Sequence, residues 1–130
     1  MKEFKMKAWL KKENKMVSII GIDLNYQYIR YTDDGNLFKD DYKIAEFKDI
    51  ELLQFTGAKS KAGQEVYEAD VIKFNDGIDD IYGLISYDDE DAVYCVSYEN
   101  VTEHLLNMAG DFEIVGNIFE NPDLYEQLGY

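Results

Sequence analysis

Chemically reactive side chains are scarce in this sequence. It has one Cys, Cys95, and one His, His104. A single Cys excludes an internal disulfide and any zinc site built from several thiolates, and it fits a reducing, cytoplasmic setting. Pro occurs once and Gly nine times, so no stretch has the composition of a long flexible linker. Long apolar runs are missing too. The longest apolar run near the basic N-terminus, Val17 to Ile22, is broken by Ser18 and Gly21. It is too short and too polar for a signal segment or a membrane span. The expectation is a soluble protein that stays where it is made.

Positive charge is missing from the whole second part of the chain. Lys73 is the last basic side chain; residues 1–73 carry 13 Lys/Arg against 13 Asp/Glu, and residues 74–130 carry 14 acids and no Lys or Arg. The net charge of −14 therefore lies entirely after Lys73. Its densest stretch is Asp76 to Asp91, with seven acids, while residues 1–15 hold six Lys and two Glu. Phosphate repulsion opposes direct binding of nucleic acid to the acidic part. A basic protein surface, or a neighbouring copy's Lys-rich N-terminal strand, would be attracted to it. The plainer reading is a solvated acidic face that keeps the protein soluble.

What is abundant is apolar and aromatic. Hydrophobic residues make up 46% of the 130, with 11 Tyr and 7 Phe. That is too apolar for a disordered chain, and the length suits one domain with a real core.

The local patterns are mostly those of strands. Residues 5–10 and 16–23 flank the polar KKENK, a hairpin pattern. Residues 26–32 alternate Tyr26, Tyr28 and Arg30 with Gln27, Ile29 and Tyr31, and end at Asp33-Asp34-Gly35, a turn signal. Residues 50–56 read as a short buried strand closed by Gly57, and residues 58–63 as an exposed turn. Residues 66–74 read as a central strand. Residues 82–87 and 92–98 form a second hairpin around Asp88, Asp89, Glu90 and Asp91, with Ala92, Tyr94, Val96 and Tyr98 on one face and Val93, Cys95 and Ser97 on the other. A short helix is expected over 103–109, with Thr102 as N-cap and Gly110 as stop. A strand follows at 112–119, and Asn121-Pro122 starts a terminal helix that Gly129 ends.

Two blocks carry a family resemblance. LLQFTGAKSKAGQEVYEADVIKF (52–74) and FEIVGNIFENPDLYEQ (112–127), with the opening KAWLKKENKM (7–16), resemble the YopX family, small proteins of phages and prophages of low-GC Gram-positive bacteria. Gly57, Gly63, Gly116, Asn117, Asn121 and Pro122 match its pattern and read as structural. Ala69 departs from it, standing where the family has Gly. If that position needs a positive φ, Ala costs about 1 kcal/mol there. Residues 66–74 also resemble the opening strand of SH3-like barrels. The resemblance implies a phage accessory protein and brings no activity with it.

The expected fold is mainly β: an N-terminal β-ribbon plus a small SH3-like or Greek-key barrel, with one or two short C-terminal helices. It is read as one domain over 1–130, with possible sub-parts at 1–50 and 51–130.

No catalytic constellation emerges, and no cofactor or metal is expected. Cys95 and His104 make a formal nucleophile–base pair, but Cys95 lies mid-strand with no Lys or Arg nearby in sequence to lower its pKa. The clusters at Asp76/Asp79/Asp80 and at 88–91 lack the spacing of a calcium loop. The segment GAKSKAG lacks the order of a phosphate-binding loop. Tyr26, Tyr28 and Tyr31 near basic positions can stack on bases, though tyrosines on a sheet are more often core or interface.

Three functional readings result. One is a non-enzymatic phage accessory protein that self-assembles and binds a basic host or phage protein. Another is an acidic mimic of DNA that occupies a basic nucleic-acid-binding protein. The third is a nucleic-acid-binding SH3-like module using the Lys-rich first half. The first is preferred, with Asp88, Asp89, Glu90 and Asp91, and secondarily Lys59 and Lys61, as the partner-binding residues.

Overall fold

The computed structural model describes residues 5–33 and 42–128. Among these the chain divides between Gln54 and Phe55 into two compact units. The expected turn residues Asp34 and Gly35, and the helix stop Gly129, lie outside the described residues.

The first unit is an antiparallel sheet. Its strands are β1 (Met6–Leu10), β2 (Lys15–Asp23), β3 (Tyr28–Tyr31), β4 (Lys43–Glu46) and the first half of β5 (Ile50–Lys59), in the order β4-β3-β2-β1-β5. β1 is central, paired with β2 on one side and β5 on the other, so Ala8, Trp9 and Leu10 are all buried. Ala8, Leu10, Val17, Ile29, Tyr31 and Ile50 form the core. The expected ribbon is the β1–β2 hairpin, closed through Asn14 at φ 49°, a conformation Asn tolerates. β3, β4 and β5 extend it to a sheet. Tyr26 falls outside β3, in a turn where its amide donates to Asp23 Oδ1 at 2.9 Å. A bulge in β2 at Gly21 admits the guanidinium of Arg30, which a Cβ there would strike at 2.5 Å.

β5 crosses into the second unit, pairing with β1 up to Gln54 and with β6 (Glu65–Tyr67) from Phe55. There follow β7 (Asp70–Asn75), β8 (Asp80–Asp88), β9 (Val93–Tyr98), β10 (Val101–His104), a 3-10 turn (Leu105–Met108), β11 (Glu113–Asn117) and the helix α1 (Pro122–Gln127). β7 to β10 form a meander, and β11 returns to pair with β7, giving the order β10-β9-β8-β7-β11. The protein is thus mainly β, two antiparallel sheets with a short C-terminal helix, and this second unit is compatible with the small barrel expected. Its core is Val66, Ile72, Ile85, Val96, Leu105 and Phe112. Tyr94 and Tyr98 pack against that core from the expected face of β9.

Three local expectations change. Residues 66–74 are two strands, β6 and β7, joined through Glu68 and Ala69. Ala69 has φ +71° while Glu68 does not have a positive φ, the pattern of a type II turn, which favours Gly at its third residue. The turn is pinned: Tyr67 N donates to Asp70 Oδ2 (2.8 Å), Ala69 N to Ile85 O (2.9 Å), and Ile118 N to Ala69 O (3.1 Å). The helix expected at 103–109 is instead the end of β10 and one 3-10 turn, so Thr102 is a strand residue and caps nothing. Seven residues are too few to hold a helix by themselves, and the open edge of β9 offers backbone pairing instead. Finally, Pro122 does start α1, but Asn121 Oδ1 accepts from Asn117 N (3.2 Å) rather than from the first helical turn. Gly116 is needed there, because a Cβ would collide with Asn121 and Leu124.

Candidate partner-binding surface

The four acids at 88–91 sit where β8 reverses into β9. Asp88 ends β8 opposite Val93, and Ala92 closes the turn at φ 55°. Asp88 Oδ1 accepts from Glu90 N at 3.0 Å, which holds the turn. Asp89, Glu90 and Asp91 are exposed. Asp91 Oδ2 lies 3.3 Å from Nε2 of His104 at the end of β10, so the turn is tied to the neighbouring edge strand.

That contact marks the rim of an apolar pocket of about 280 Å³. Its walls come from three places in the second unit: Thr56, Gly57 and Ala58 of β5; Val93 and Tyr94 of β9; and His104, Leu105 and Leu106 after β10. Leu105 is buried and belongs to the core, whereas Leu106 is 87% exposed. Tyr87 stands edge-on to Tyr94, with ring centroids 5.1 Å apart, and is itself exposed. The turn meets the pocket through one contact, that of Asp91 with the lining residue His104. The sequence reading found the turn and missed the pocket. The helix expected over 103–109 does not place Leu105 and Leu106 beside β9, and nothing local joins residues 56–58 to residue 93.

Lys59 and Lys61 lie elsewhere in the same unit. Lys59 ends β5, and Lys61 follows in a turn held by Ser60 N to Gln64 O (2.8 Å) and Lys61 N to Phe112 O (3.0 Å). Lys61 lines a separate cleft, shared with Lys73, Asp80, Asp111 and Glu113. The structure therefore does not bring the two lysines together with the acidic turn as lining of one pocket.

Cys95 and His104 are direct cross-strand partners. Their environment does not activate the thiol. Cys95 is buried, and that burial pushes its pKa up, with the carboxylates of Asp88 and Asp91 adding to the rise. Among the described residues no three or more His, Cys, Asp or Glu side chains are grouped to hold a metal ion. In the β7–β8 turn, Asp76 Oδ1 instead accepts from the amides of Asp79 (2.7 Å) and Ile78 (2.8 Å), which lower its pKa. Of the three tyrosines considered for stacking, Tyr31 is core. No helix among the described residues is long and apolar enough to cross a membrane.

The fold and this surface define a small mainly-β protein of two sheet units, with an apolar pocket in the second whose His104 contacts Asp91 of the acidic turn. The chain belongs to the YopX family: the family model described as YopX protein matches residues 5–126. Among solved structures, the crystal structure of protein EF1440 from Enterococcus faecalis is similar with a TM-score of 0.61 at 20% identity, covering 95% of this chain and 99% of that one. At that identity the likeness is one of fold. No curated protein matches the chain.

Proposed function

We propose that this is a phage-derived accessory protein that acts by binding a basic protein, without catalysis, through the acidic β8–β9 turn. The observation that carries the reading is the state of that turn. One carboxylate, Asp88, serves the backbone of the turn, while Asp89, Glu90 and Asp91 are exposed beside an apolar pocket. No Lys or Arg follows Lys73 in the sequence to neutralise them. Charge of one sign beside an apolar patch favours a cationic partner surface, chiefly through the rate of encounter. The family membership supports the phage-accessory part of the reading. A raised Cys95 pKa supports the non-enzymatic part.

The test is capture of partners from host lysate at low and high salt, with wild type and with Asp88→Asn, Asp89→Asn, Glu90→Gln and Asp91→Asn combined. A basic protein retained by wild type at low salt, released at high salt and absent from the variant is the expected result. Equal capture by both would reject the turn. If the captured protein handles DNA, the mimic reading is the form this function takes. A salt-sensitive oligomer of the bait alone, seen by sedimentation, would point to self-assembly instead. For the nucleic-acid-binding reading, burial removes Tyr31 as a stacking platform, while Tyr26 is exposed.

A further inference from the structure

The pocket beside the turn has the lining of a receptacle for an apolar side chain. Its roughly 280 Å³ falls just below the range of about 300–1,000 Å³ typical of small-molecule sites. Two of its polar side chains are already engaged. Thr56 Oγ1 donates to Val66 O (2.8 Å) and accepts from Ala58 N (3.1 Å), and His104 Nε2 meets Asp91. A polar metabolite would find little to orient it. An aliphatic or aromatic side chain would find Ala58, Val93, Leu105 and Leu106 with the ring of Tyr94. Leu106, 87% exposed, forms an unpartnered apolar lip.

The charge at the rim says what flanks that side chain. Val93 lines the pocket and stands opposite Asp88 in the β8–β9 register, and His104 links the wall to Asp91. An occupant of the pocket therefore has the Asp91 carboxylate next to its His104 wall, and the exposed Asp89 and Glu90 belong to the same turn. We infer that the partner element is a short basic protein segment with one bulky apolar residue, which enters the pocket while the flanking lysines or arginines meet Asp88 to Asp91. This rests on the function proposed above and specifies its ligand. An apolar anchor gives affinity and the charged rim gives orientation and specificity.

Three acetylated heptapeptides titrated into the intact chain at low salt test this, with NMR shifts of the Leu106 methyls and the Tyr94 ring as readout. One has Leu between two Lys-Lys-Lys blocks, one has Ala in place of Leu, and one has Leu between Gly blocks. The Leu–lysine peptide should bind about tenfold or more tightly than the Ala–lysine peptide, as burial of one leucine side chain implies. Ala58→Leu, which fills the pocket, should abolish that preference. Leu106→Gln, at an exposed position that cannot threaten folding, should reduce it. The quadruple turn variant should weaken both lysine peptides. Equal binding of the Leu and Ala peptides to wild type overturns the pocket inference and leaves the acidic turn standing. A Leu preference that survives both Ala58→Leu and Leu106→Gln does the same. Tight binding of the Leu–Gly peptide, unaffected by the turn variant, overturns the role of the turn and with it the basic flanks. Silence from both lysine peptides overturns both readings. Self-association of wild type that Ala58→Leu abolishes would make a second copy the occupant, and the proposal falls.

Discussion

Replacing Ala69 by glycine should make this protein more stable, although it removes a side chain. Ala69 has φ +71°, a left-handed conformation that costs an L-residue with a Cβ about 1–2 kcal/mol. The turn cannot relax away from it, because the amide of Ala69 is bonded to Ile85 O and its carbonyl to Ile118 N. Glycine removes the penalty but gains freedom in the unfolded chain, worth about 0.4–1 kcal/mol against it. Loss of a half-buried methyl subtracts a further few tenths, a fraction of the roughly 0.8 kcal/mol of a fully buried one. Mid-range values leave a gain of about 0.5 kcal/mol, within limits of roughly zero and about 1.3 kcal/mol. For a chain of this length that corresponds to a Tm higher by roughly 2–4 °C. Urea melts followed by far-ultraviolet circular dichroism should show a higher midpoint at unchanged slope. Ala69→Val should do the reverse, since a β-branched residue tolerates positive φ least. An Ala69→Gly protein less stable than wild type, or a neutral Ala69→Val, would refute the reasoning from backbone strain.

Other predictions concern charge, packing and the thiol. Asp33 has its pKa held down at about 2 by hydrogen bonds from Lys15 (2.9 Å) and Lys43 (2.6 Å), against an ordinary 3.8. Its folded value is depressed, so its stabilisation is present above about 3.8 and lost as pH falls through about 2. A stability gap between wild type and Asp33→Asn at pH 6 should narrow as pH falls below about 4 and close below about 2, and a gap constant with pH would contradict the pairing. In the second unit, Gly83→Ala would place a Cβ 2.5 Å from Val96 Cγ1, so it should destabilise by about 1–3 kcal/mol in urea melts. In a Val96→Ala background the same Gly83→Ala change should cost less if the collision is its cause. Cys95, buried and with a raised pKa, should react with an aromatic disulfide at pH 8 only after denaturation. Rapid labelling of the native protein would show an accessible thiolate.

Where the sequence was legible, the controlling interactions were short-range. The hairpin around KKENK, the strands around the turn at 88–91 and the start of α1 at Pro122 all follow from alternation and turn chemistry within about ten residues. Ala69 is an instructive intermediate case. Residues 66–74 alternate well enough to read as one strand, yet the chain reverses inside them. The clue was the family's Gly at that place, because a Gly–Asp pair marks a turn that local propensity does not reveal. The stretch 103–109 misled for the opposite reason. Its composition suits a helix, but pairing of Val101–His104 with the edge of β9 overrides a weak local preference.

The sequence by itself determined the strand content, the place of the acidic turn and the segregation of all net charge after Lys73. These are properties of composition and of neighbours along the chain. Only the tertiary structure decided that β11 pairs with β7, that His104 stands beside Asp91, and that Ala58, Val93 and Leu106 share a pocket. Those contacts join residues far apart in sequence. Their formation depends on which strand edges and apolar faces remain open once the hairpins are built, and no window of local sequence contains that information.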